Sequence, residues 1–196
     1  MKIEISPSLP LFLISLAVSK DTSFVLIPAS AAFIHECGHL LAAKLLHLRI
    51  KAMRLGIFGA AIEADMLHCS YGKEILLALC GPLANILTAF LVYAFAGIEN
   101  SHLLLFFVSS LLFAALNLLP AGSFDGGRIF SSSLHCFLPP GAACRISEAV
   151  SFLVFFVLWT ASVYFILRTG AYLSLFIFSW TLFTGLFLSN RQNSQT

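Results

Sequence analysis

The stretch FVLIPASAAFIHECGHLLAAKLL, residues 24–46, is apolar for long enough to cross a bilayer, yet it contains His35, Glu36, Cys37, Gly38 and His39, the pattern H-E-x-x-H. On a helix, positions i and i+4 share one face about a turn apart, so His35 and His39 can reach a single ion. Zinc held by imidazole nitrogens at about 2.0–2.1 Å accepts that spacing, and Glu36 is placed to orient a water. Two helix-packing histidines beside a surface glutamate would be the plain alternative. Membrane context weighs against it, because one acid or base at the centre of a spanning helix costs at least about 2.5–3.5 kcal/mol on insertion scales. Three ionisable side chains in five residues therefore call for an ion or a water-filled cavity.

Composition agrees with a membrane setting. The 196 residues are 59% hydrophobic and 10% charged, with 20 phenylalanines, far from the roughly one-quarter charged of soluble domains. A net charge of +2 gives no reason to expect nucleic acid or an acidic substrate. The cysteines Cys37, Cys69, Cys80, Cys136 and Cys144 are odd in number and form no C-x-x-C pair, so they read as small apolar side chains rather than a disulfide framework. Cys37 points a quarter turn or more away from the two histidines, and packing is its expected role.

Outward from the motif, six apolar segments follow one another at 8–19, 24–46, 74–97, 102–118, 148–167 and 171–189. The first and fourth are short of the usual 20 or so residues, so tilt, thinning or partial insertion is expected there. Residues 51–66, with Gly56 and Gly59, suit a short hairpin or sheet at the membrane surface. The expected fold is an all-α polytopic membrane protein of about six transmembrane helices, with a small membrane-associated β element after the second. It forms a single domain over 1–196, with a core at 24–138 and a C-terminal helical pair at 148–189. The polar tail 190–196 is expected to be disordered.

The lysines and arginines set the expected orientation. With the N-terminus inside, Lys2, Lys44, Arg49, Lys51, Arg54, Lys73, Arg128, Arg145 and Arg191 fall inside, and only Lys20 and Arg168 outside. Both termini are thus expected in the cytoplasm, with the histidines in the membrane nearer that side. Residues 9–18 after Lys2 have some likeness to a secretory signal, but Glu4, Pro7 and Pro10 fit one poorly and retention is expected.

A catalytic zinc takes three protein ligands and leaves one position open. Asp125, His47, Glu63, Asp65, Glu74, His68, His102 and His135 are the candidates for the third. His47 lies two turns beyond His39, and His102 falls on the opposite side of the membrane. No third histidine follows His39 at the spacing of the extended metalloprotease pattern. Glu63, Asp65 and His68 sit in a basic loop, and Glu74 and His135 at segment edges, where a solvated face is the default. Asp125 lies in the stretch from Asn117 through Pro120 and Gly122 to Asp125, Gly126, Gly127 and Arg128. Helix-breaking backbone near membrane depth needs a protein or cavity partner, although D-G-G alone is an ordinary turn.

H-E-x-x-H in one apolar segment, then Gly81, Pro82, Leu83, Ala84 and Asn85 in the next, then N-x-x-P-x-x-x-x-D-G-G from Asn117 to Gly127 resembles the site-2 protease family of intramembrane zinc metalloproteases. The resemblance is firm over 35–128. It implies His35, His39 and Asp125 as zinc ligands, Glu36 as general base, and Asn85 and Asn117 as polar residues able to bind substrate. For each asparagine, an interhelical hydrogen bond is the open alternative. It also implies that the 51–66 element pairs with an unwound substrate as an added strand. Phe124 stands where leucine is usual before D-G-G, a change of packing. No PDZ domain or nucleotide-sensing C-terminal domain is expected, and the compact layout is similar to the bacterial branch that includes the sporulation-factor-processing protease.

The expected activity is zinc-dependent hydrolysis of peptide bonds in membrane-embedded or membrane-associated protein substrates, in regulated proteolysis. The expected cofactor is Zn2+ alone, with no organic cofactor and no nucleic acid. A membrane-protein substrate is the expected partner, with room for a regulatory membrane protein. A multi-pass metal-ion transporter or metal sensor is the alternative, and an inactive scaffold of the same fold a third; the intact Glu36 speaks against both.

Overall fold

The computed structural model describes residues 21–48, 70–122 and 124–168 in full, and the backbone of residue 169 and of three strands at 2–5, 50–56 and 59–64. In chain order the elements are β1 (Lys2–Ile5), α1 (Ser23–Leu45), β2 (Ile50–Gly56), β3 (Gly59–Ala64), α2 (Tyr71–Ala96), α3 (Ser101–Asn117), α4 (Asp125–Phe137) and α5 (Pro140–Thr169). They fall into two compact units, residues 1–118 and 119–196.

In the first unit α1, α2 and α3 pack against one another, and β3 runs beside α1. The sheet order is β1-β2-β3. β1 lies parallel to β2 with Lys2 opposite Ala52, and β2 lies antiparallel to β3 with Gly56 opposite Gly59. Positive-φ Gly97 ends α2, and the Asn100 side chain accepts a hydrogen bond from the His102 N–H at 2.8 Å to start α3. A connection this short makes α2 and α3 adjacent, and the Tyr93 and Phe107 rings meet across them at 6.0 Å.

The packing is inside-out by the standards of a soluble domain. Of the eleven buried hydrophobic residues among those described, nine are alanines. The large side chains Phe24, Phe33, Leu41, Leu83, Phe90 and Phe95 are exposed, Phe95 at 86%. Lipid solvates such faces, while small residues let helix backbones approach closely. α1, α2 and α5 are each long and apolar enough to cross a membrane. Apolar helices with lipid-type outer faces make this a membrane protein.

The expectation of an all-α protein with about six transmembrane helices is corrected. Among the described residues there are five helices, and three meet the length and hydropathy of a span. α3, at 17 residues, is about 25 Å long at 1.5 Å per residue, short of the roughly 30 Å hydrocarbon layer. α4 went unread because its two glycines and serine-rich, charged sequence hide any apolar run. The segment expected at 148–167 begins earlier, at Pro140, whose missing N–H costs nothing in a first helical turn. Nor is the chain all-α with a local hairpin. The sheet has three strands, and the N-terminal Lys2–Ile5 supplies a parallel edge that no local pattern announced. The expected segments 8–19 and 171–189, and the tail, lie outside the described residues.

α1 ends in a two-bond cap. The His47 N–H donates to the Lys44 carbonyl at 3.2 Å and the Leu48 N–H to the Ala43 carbonyl at 2.9 Å, with His47 at φ 54°. Glycine usually takes this left-handed position; His47 is held in it because Leu46 and Leu48 close over Ala42, Ala43 and Leu77. His47→Gly is expected to raise stability by up to ~1 kcal/mol, and β-branched His47→Val to lower it by about as much. Unfolding of the detergent-solubilised protein measures both; a stabilised His47→Val would contradict this account of the turn.

Candidate active site

The buried face of α1 is Ala31, Ala32, His35, Gly38, His39, Ala42 and Ala43, a stripe at helical spacing. The facing stripe of α2 is Leu77, Ala78, Gly81, Pro82, Asn85 and Ala89. Two glycines set how near these helices come. A Cβ on Gly38 would collide with the Cys80 carbonyl oxygen and come within 2.8 Å of the Ala84 Cβ. A Cβ on Gly81 would run into His39 Nε2 and lie 2.8 Å from His35 Nε2. Glycine at 81 therefore keeps clear the space into which both imidazoles point.

Within that space the Nε2 atoms of His35 and His39 are 3.2 Å apart, with the rings edge-on at 83°. His39 Nδ1–H donates to the Leu77 carbonyl at 2.8 Å, which leaves the lone pair of His39 on Nε2. An ion about 2.0–2.1 Å from both nitrogens would see them at about 100°, near the tetrahedral angle. The donor chemistry, the locked tautomer and the cleared space all fit zinc. Glu36 follows His35 on the same helix and is partly buried. Asn85 is wholly buried, with its amide nitrogen 3.4 Å from His35 Nδ1.

Asn117 is occupied within its own helix, its amide donating to the Phe113 carbonyl at 3.0 Å. His47 is the exposed cap of α1, His102 is exposed at the start of α3, and Glu74 is partly buried in the first turn of α2. Asp65 and His68 lie outside the described residues, and Glu63 is described only as β3 backbone. Just before α1, Asp21 accepts the Ser23 N–H at 2.9 Å, and that bond holds its carboxyl below the usual aspartate range.

In the second unit Asp125 begins α4 and is 8% exposed. A carboxylate in a first helical turn is favoured by the helix dipole. Its ion pair with Arg128, at 3.7 Å and partly solvated, adds little. Gly127 cannot carry a Cβ, which would strike the Ala121 carbonyl oxygen. The preceding loop is tied to α5 by the Gly122 N–H donating to Ser151 Oγ at 3.0 Å and by Phe124 against Phe155 at 6.1 Å. Phe124 thus has a specific ring partner.

The profile of peptidase family M50 matches residues 23–101, which include His35, Glu36, His39 and Asn85. Stage IV sporulation protein FB of Bacillus subtilis (strain 168) is 31% identical over 166 residues, covering 80% of this chain and 53% of that protein. The site-2 protease from Methanocaldococcus jannaschii shares the fold, with a TM-score of 0.71 over 94% of this chain and 88% of that one at 19% identity. Residues 23–101 thus match the M50 profile, and the fold is that of a site-2 protease. The chain spans about half the length of that Bacillus relative. The family match ends before Asp125. The two glycines of the α1–α2 contact, Gly38 against Cys80 and Gly81 against the histidines, were the site-shaping residues missed in the sequence: each stood there only as part of a motif, and its packing partner is remote along the chain.

Gly81→Ala is expected to lower zinc retention at least tenfold and to abolish proteolysis, because the methyl fills the space before both Nε2 atoms. Gly72→Ala, which meets nothing within 4 Å, is the matched control. Zinc content after purification reads both variants; normal zinc in Gly81→Ala would refute the cleared-space account.

Proposed function

We propose that this protein is an intramembrane zinc metallopeptidase that hydrolyses peptide bonds of membrane-embedded or membrane-associated protein substrates. The observation that carries the reading is the convergence of His35 and His39 Nε2 in a space kept open by Gly81, with Glu36 adjoining, in a helix of membrane-spanning length.

His35 and His39 would hold the metal through Nε2, and Asp125 would supply the third ligand. Asp125 is supported by its place in N-x-x-P-x-x-x-x-D-G-G and by its burial at the start of α4, in a turn that Gly127 and Ser151 help to shape. Bound there, zinc would supply Lewis acidity toward the scissile carbonyl and acidify a water to a pKa near 7. Glu36 is the general base. Its carboxylate takes the proton of the attacking water and returns it to the leaving amine. Asn117 remains a substrate-binding candidate: one amide N–H donates to the Phe113 carbonyl, which leaves its second N–H and its carbonyl oxygen to offer. The substrate must arrive unwound, since a helical backbone shields its carbonyls.

The lysine and arginine distribution supports a multi-pass protein with both termini in the cytoplasm and water reaching the site from that side. Transport of metal would require neither a general base next to the ligands nor a match to a peptidase profile.

Co-expression of wild type and Glu36→Gln with a tagged single-span membrane protein that the wild type cleaves tests the base. Loss of cleavage by about 10²-fold or more with zinc retained is expected; equal cleavage would overturn the assignment. Asp125→Ala is expected to lose zinc affinity, and unchanged stoichiometry and affinity would remove Asp125 from the ligand set.

A further inference from the structure

Asn85 is the most deeply buried polar side chain beside the histidine pair, and its Oδ1 has no hydrogen-bond partner. Its Nδ2 lies 3.4 Å from His35 Nδ1, on the ring edge away from His39. An amide has a donor end and an acceptor end of nearly equal size, and which end faces His35 decides which tautomer that ring prefers.

With Nδ2–H directed at Nδ1, the His35 proton belongs on Nε2, where it can be donated across 3.2 Å to His39 Nε2. His39 completes the chain through Nδ1–H to the Leu77 carbonyl. That tautomer cannot ligate a metal through Nε2. The ligating tautomer carries its proton on Nδ1, and an N–H there would oppose the amide N–H. Rotation of the Asn85 amide by half a turn relieves the opposition and gives Oδ1 the donor it lacks. No net charge changes, since the proton leaves Nε2 and one is held at Nδ1 of the same neutral ring.

We propose that Asn85 is a positioning residue for zinc binding, presenting Oδ1 to His35 Nδ1–H and so selecting the tautomer that binds through Nε2. His39 receives the same service from a backbone carbonyl, whereas on the His35 side a reversible side chain provides it. Metal-ligating histidines generally need such an acceptor, and its loss typically weakens metal binding 10–100-fold. This role stands beside the expected one of Asn85 in substrate binding, and it rests on His35 being a ligand as proposed above.

Chelator competition on the purified, full-length protein gives the zinc dissociation constant for wild type, Asn85→Leu, Asn85→Asp and His35→Ala, with thermal unfolding as the check on folding. Asn85→Leu, which fills the site but accepts nothing, is expected to bind zinc 10–100-fold more weakly. Asn85→Asp keeps an acceptor and has no donor, and is expected to match or exceed wild type. Wild-type affinity in Asn85→Leu overturns the proposal, as does affinity more than tenfold weaker in a folded Asn85→Asp. The second result decides the matter even if Asn85→Leu does not fold. Undiminished zinc binding in His35→Ala would instead overturn the ligand reading beneath it.

Discussion

The close approach of α1 to α2 is the constraint on which the candidate site depends. Gly38 lies against the Cys80 carbonyl and Gly81 against the two imidazoles, so one helix face supplies two convergent imidazole nitrogens and the other supplies the room and the hydrogen-bond partners beside them. In lipid, apolar side chains gain little by turning inward, and association rests on backbone proximity, van der Waals contact and interhelical hydrogen bonds. The small-residue interface is therefore both the packing of this unit and the frame of its chemistry.

The same economy explains why few large side chains are buried. Alanines and serines occupy the interior and phenylalanines and leucines the outside, Phe155 and Leu77 being exceptions with identifiable partners. Phe155 receives Phe124, the residue before Asp125, and Leu77 lends its carbonyl to His39. Packing and the geometry of the candidate site thus use the same residues.

Much of this was legible in the chain. The membrane character followed from the absence of charge over long runs, and the resemblance to a peptidase family from three short motifs in order. Other features were not. A parallel edge strand at Lys2–Ile5 pairs with residues about fifty positions away, and nothing within four residues can announce such a partner. α4 carries two glycines in its first turn and is too polar to stand out, while the first turns of α5 hold Gly141, Arg145 and Glu148 and so fall outside the apolar run. Among the described residues, counting apolar runs therefore took the short α3 for a full span and missed the amphipathic α4.

The sequence by itself determined which atoms are available: two imidazoles a turn apart, an adjoining carboxylate, and an asparagine in a neighbouring helix. Those follow from residue identity and helical periodicity alone. The tertiary structure decided what each atom can do, because a tautomer is set by the hydrogen bond on the far side of the ring. For His39 that partner is a carbonyl 38 residues away, and for His35 an amide 50 residues away. In the sequence Asn85 could be a substrate ligand or an interhelical hydrogen-bonding residue, and only the tertiary structure set it, buried, beside His35 Nδ1.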